Sequence, residues 1–244
     1  MSIEIFYLIL FCVAFLYAAV GHGGASGYLA LMAIYGVAPA EMKPTALMLN
    51  LFVSLTSFIQ YYRGKFFVRN LFLSVSAASV PMAFLGGMIT LEENIYKRIL
   101  GILLLFPVIR FFFFRNPDDD ELKPYNVYGA LAIGAVVGLL SGMIGIGGGI
   151  ILSPVLLLLL WTNQKQTAAI SALFIFVNSV AGLLGQFTKG IVFNADMLVY
   201  VAVAFSGGLL GAYFGSLKFS QQILKYILAT VLLLASYKLL FTTA

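Results

Sequence analysis

The chain has 244 residues, 62% of them hydrophobic and 9% charged, with a formal net charge of +5 and a mean hydropathy of +1.04. Soluble domains carry about 25% charged residues, so this chain lacks the polar surface needed to face water and reads as an all-α integral membrane protein. Its basic residues lie mostly in short loops, which suits a topology signal and argues against nucleic-acid binding, and a single cysteine, Cys12, excludes an intrachain disulfide.

Residues 3–20 form the first apolar run. They show no basic n-region and no evident cleavage site, so a retained membrane segment is expected rather than a signal peptide. The run breaks at Gly21-His22-Gly23-Gly24, and a short apolar piece follows at 25–37. Longer apolar segments come next, roughly at 44–62, 69–90 and 95–114. The polar and acidic stretch Arg115–Lys123 is the longest loop. It divides the chain into a first transmembrane repeat (1–115), a linker (116–124) and a second repeat (125–244). The second half opens with an apolar segment at 125–142, breaks at Gly145-Ile146-Gly147-Gly148-Gly149, and continues with a short piece at 149–161. Segments at 166–188, 195–216 and 222–242 complete it. A spanning helix needs about 20 apolar residues. The pattern therefore predicts about eight long transmembrane helices, plus two short half-helices that follow the glycine-rich breaks.

The halves resemble each other. Thr45-Ala46-Leu47 answers Ser171-Ala172-Leu173, Gln60 answers Gln186, and Gly64 answers Gly190. Chance likeness between apolar helices is the competing explanation, but glycine clusters, helix order and loop positions agree. Residues 3–37 are too long for one helix and should fold into a hairpin at the glycines. Each half then crosses the membrane an odd number of times, which makes the second repeat inverted. In that geometry Arg63, Lys65, Arg69, Arg115, Lys123, Lys165, Lys218 and Lys225 share one side, the cytoplasmic side by the positive-inside rule.

Glycine at this density breaks a helix, and in lipid a break is tolerated only where the freed backbone lines a protein cavity. A helix N-terminus carries unpaired N–H groups and a partial positive charge of roughly half an elementary unit. Two such termini converging near the midplane would make an anion site built mainly of backbone, from Gly21, Gly23 and Gly24 on one side and Gly145, Gly147, Gly148 and Gly149 on the other. Close helix packing is the alternative use of small residues. Asn50, Ser54 and Ser57 share one helix face; Asn178, Gly182 and Gln186 share another; Thr45 and Ser171 stand at matching helix starts. These neutral donors suit anion oxygens, and equally suit interhelical hydrogen bonds of about 0.6 kcal/mol each. His22, the sole histidine, would donate to an anion, take up a proton, or stay a neutral hydrogen-bonding residue. Lys43 and Arg63 border spans, where a cation guides an anion or simply sets topology.

All nine acidic residues lie in loops or near segment ends, which argues against a carboxylate proton relay. One histidine and one cysteine are too few for a metal site, and no nucleophile–base pair or Walker-type loop is visible, so neither a cofactor nor an enzymatic activity is expected.

In these motifs the chain resembles the TauE/SafE family of sulfite and organosulfonate exporters. The second half gives Gly145–Gly149, Pro154, Ala169-Ile170-Ser171-Ala172-Leu173 and Gly190; the first gives Gly21–Gly24, Thr45-Ala46-Leu47 and Gly64. His22 and Ala25 thin the first glycine run, and Ala30 stands about where Pro154 stands in the second. The resemblance implies a secondary transporter of the cytoplasmic membrane that exports sulfite, a sulfonate or a related small anion by alternating access, coupled to an ion gradient and embedded in lipid. A passive anion channel and a membrane scaffold or assembly factor are the alternative readings.

Overall fold

The computed structural model describes residues 3–19, 23–113, 121–190, 195–215 and positions 233, 236, 237, 240 and 241. Nine helices and no strand occur among the described residues: α1 (Ile3–Ala19), α2 (Ala25–Ile34), α3 (Pro39–Arg63), α4 (Arg69–Met88), α5 (Glu93–Phe113), α6 (Val127–Ile144), α7 (Gly149–Leu158), α8 (Gln164–Phe187) and α9 (Ala195–Gly215). The two expected half-helices are α2 and α7, ten residues each. Four helices, α3, α4, α6 and α8, are long and apolar enough to cross a membrane, and α8 is the most enclosed of them. The expected segment at 222–242 and most of the linker lie outside the described residues.

Local chemistry explains where these helices begin. Pro39 opens α3, where its missing N–H would be unpaired anyway, so the helix starts some five residues before the apolar run suggests. Pro44 lies inside α3, and the nearby Thr45 hydroxyl donates to the Glu41 carbonyl at 2.6 Å. Asn126 caps α6 by accepting from the Gly129 N–H at 3.0 Å. Asn163 and Gln166 form a reciprocal capping box at the start of α8. The half-helices lack any such side-chain cap. Each begins at a glycine in the left-handed region, Gly24 (φ 91) and Gly148 (φ 78), where a residue with a β-carbon is strained.

Close glycine contacts align the helices. A β-carbon on Gly134, Gly138 or Gly142 of α6 would stand 2.0, 2.3 and 2.0 Å from the carbonyl oxygens of Val75, Ser79 and Ala83 on α4. Residue numbers rise together, so the two helices run parallel with their backbones in contact, as small residues at four-residue spacing allow. Gly207 and Gly211 of α9 lie in the same way on Phe11 and Phe15 of α1. Other large apolar side chains face outward, with Leu8, Ile102, Val136 and Leu198 all more than 60% exposed. In water such a surface marks an interaction site; lipid tails match it.

Two helical hairpins enter the fold from opposite ends. The Lys123 N–H donates to Leu160 O at 2.7 Å, which closes the open end of the α6–α7 pair. The Phe6 ring meets the Tyr35 ring at 4.9 Å and closes α1–α2. α2 leads directly into the start of α3, and α7 into the start of α8. Lys165, at the start of α8, stacks on Phe66 in the turn after α3, 4.9 Å from ring centroid. The two open ends are thus separated by the length of α3, and the glycine tips point toward each other.

Candidate functional site

The tips meet at the middle of α3 and α8. A β-carbon on Gly23 would lie 2.9 Å from Asn50 Oδ1 and 2.8 Å from Ile175 Cγ2. One on Gly147 would lie 2.5 Å from Asn50 Nδ2, 2.9 Å from Ile175 Cγ2 and 3.2 Å from Ser179 Oγ. The Asn50 side chain therefore sits between the two glycine breaks, with one end of its amide against each. It is fully buried, and its Nδ2 donates to Ser179 Oγ at 3.3 Å while Oδ1 has no partner among the described residues. A buried amide oxygen left unpaired costs about 1–3 kcal/mol, so this group marks a place where a further partner is favoured.

The other expected residues fall around this centre. Gly149 packs on Ile175 and Gly148 on Phe174, Val137 and Ser141, while Gly24 is covered by the Tyr28 ring. Gly145 caps the end of α6 in the left-handed region, against the backbone and stem of Lys43. Ser171 accepts from Ser153 Oγ at 2.8 Å, which joins α8 to α7. Asn178 Nδ2 donates to Phe174 O at 2.8 Å, and its Oδ1 is buried without a partner among the described residues. Ser54 lies one turn beyond Asn50 on α3, buried, with its hydroxyl likewise unpartnered. Thr45 spends its hydroxyl on the helix backbone. Gln186 is buried two turns beyond Asn178, about 12 Å along the axis, so it lines the end of α8 rather than the centre. Gly21 and His22 lie outside the described residues.

Lys43 is the one buried charged side chain among the described residues. Its ammonium donates to Gly87 O at 3.3 Å and Ile89 O at 3.1 Å, the carbonyls at the end of α4. A cation there complements the negative end of the helix. Lys43 therefore joins α3, α4 and the second glycine break, beyond the topological or guiding roles expected of it. Arg63 stays exposed at the far end of α3.

Sequence reasoning missed four groups that shape the centre: Tyr28, Ser141, Ile175 and Ser179. Ser171, Ile175 and Ser179 recur at four-residue spacing and share a face of α8; that stripe was a readable signal. Tyr28 and Ser141 carried no such signal, because a tyrosine or serine in an apolar run reads as packing. The assembled centre offers hydroxyls, an amide and two uncapped helix starts, all neutral. Such a set holds an oxyanion without burying a counter-charge. No cluster of three histidine, cysteine or acidic side chains able to hold a metal occurs among the described residues.

A family model described as sulfite exporter TauE/SafE matches residues 6–239. A protein of Sinorhizobium fredii named probable membrane transporter protein y4hK is 36% identical over 236 residues, 95% of either chain. Two Bacillus subtilis proteins carry the same kind of name. YunE is 28% identical over 84% of this chain and 82% of its own length, and YdhB is 26% identical over 93% and 94%. No solved structure matches the chain.

Proposed function

For a chain that belongs to the sulfite exporter TauE/SafE family and is a multi-pass membrane transporter, we propose secondary transport of a small sulfur-containing anion, sulfite or a sulfonate, outward across the cytoplasmic membrane. The observation that carries this reading is the Asn50 side chain, buried between Gly23 and Gly147. The anion sits there, held by the N–H groups at the starts of α2 and α7 and by the Asn50 amide. Gly24, Gly145, Gly148 and Gly149 complete the backbone cradle, and Thr45, Ser54, Ser171, Asn178 and Gln186 belong to the path on either side. The substrate class and the outward direction come from the family description; the geometry supports only a small oxyanion.

Inverted repeats account for the helix arrangement, with residues 1–115 and 125–244 as the repeats and 116–124 as the link. α2 and α7 are equal in length and start alike, their hairpins enter from opposite ends, and the first helix of each half packs on the fourth helix of the other, α1 on α9 and α6 on α4. With α1, α5, α9 and the 222–242 segment added to α3, α4, α6 and α8, eight spans result. The end bearing Arg63, Lys65, Arg69, Lys123 and Lys165 faces the cytoplasm in this reading. A bound anion neutralises both helix termini at once and permits one repeat to rock against the other, the alternating-access motion of such folds. An ion gradient drives it.

Radiolabelled sulfite counterflow in proteoliposomes tests the proposal. Saturable uptake driven by sulfite inside the vesicles is expected, reduced at least tenfold by Asn50→Leu and by Gly147→Leu. Conductance that never saturates, without counterflow, would establish a channel instead. No flux of any sulfur anion, with function surviving both substitutions, would leave a scaffold role.

A further inference from the structure

We propose that the Tyr28 hydroxyl is a substrate-binding donor that makes the two glycine breaks chemically unequal; the inference rests on the anion site described above. Tyr28 is the fourth residue of α2, and helical side chains lean back toward the N-terminus. Its ring accordingly folds over its own helix start: a β-carbon on Gly24 would stand 2.6 Å from the Tyr28 oxygen. The residue is fully buried, yet its hydroxyl has no hydrogen-bond partner among the described residues.

The neighbouring tyrosine is the contrast. Tyr17 is also buried, and its hydroxyl shares a 2.7 Å hydrogen bond with Ser26. The fold thus satisfies one phenol with a protein partner and leaves the other aimed at the first break. A phenol O–H beside uncapped N–H groups is a converging set of donors, and what completes it is an acceptor with more than one oxygen, such as a sulfite or sulfonate headgroup. In the second half, the residue four positions after the capping glycine is Leu152, fully buried and without a donor. The oxygen-rich end of the anion is therefore drawn to the α2 side.

The test is thermal unfolding of the detergent-purified full chain, with and without sodium sulfite and with methanesulfonate as a second probe, for wild type, Tyr28→Phe and Tyr17→Phe. A ligand that binds the native state raises the midpoint by mass action. Wild type is expected to be stabilised by at least one probe. Tyr28→Phe should bind it about 10- to 100-fold more weakly, the worth of one hydrogen bond to a charged group, with an unliganded midpoint equal to or above that of wild type. Tyr17→Phe should unfold at a lower temperature without ligand and keep its affinity. A Tyr28→Phe protein that binds with full affinity, or that loses as much unliganded stability as Tyr17→Phe, would overturn the role of Tyr28 alone. Failure of both probes to stabilise wild type would instead overturn the anion site on which the inference rests.

Discussion

Single residues divide sharply by whether the protein itself uses their polar atoms. Thr45 and Ser57 return their hydroxyls to the helix backbone, whereas Asn50 keeps an amide oxygen unpartnered at the centre among the described residues. Lys43 belongs with the satisfied group. Removing its ammonium strands the carbonyls of Gly87 and Ile89, so Lys43→Met should cost about 1–3 kcal/mol, read as a lower unfolding midpoint, while Lys43→Arg should recover most of it. Asn50 was legible in the sequence because a buried amide on an apolar helix is conspicuous. Tyr28 was not: a tyrosine in an apolar run looks like packing until its hydroxyl is found buried over Gly24 without a partner among the described residues.

Among the elements, the glycines perform two different jobs, and position in the chain separates them. Four of the break glycines, Gly24, Gly145, Gly147 and Gly148, have positive φ, while Gly23 and Gly149 are needed for close approach to Asn50 and Ile175. Those inside α6 and α9 are ordinary helix residues that let another backbone touch theirs. Gly134→Ala should therefore destabilise the α4–α6 contact by about 1–3 kcal/mol, since the added carbon would fall 2.0 Å from Val75 O. Gly129→Ala, whose nearest neighbour would be Trp161 at 3.4 Å, should be neutral or slightly stabilising through helix propensity. Comparing both midpoints in one detergent checks the pair. Helix limits followed the apolar runs to within a few residues, because hydropathy and capping act locally. The start of α3 did not: the polar opening of that helix carries little hydropathy signal, so Pro39 begins it and Thr45, expected at the helix start, is its seventh residue.

For the whole molecule, what matters is that two hairpins enter from opposite ends and stop at the same asparagine. Broken backbone inside a membrane needs partners, and here each break finds the Asn50 side chain and Ile175. The paired glycine clusters announced the breaks. Their meeting point was not legible, because it depends on how α3 packs against α8. The most direct test of the central claim is to locate an anion in the assembled protein. Selenite, a heavier analogue of sulfite, soaked into crystals of the full chain should give an anomalous peak between Gly23 and Gly147, beside Asn50 and within reach of the N–H groups that start α2 and α7. A peak confined to the exposed basic end, or none at the break in crystals that diffract well enough to show Asn50, would contradict the account.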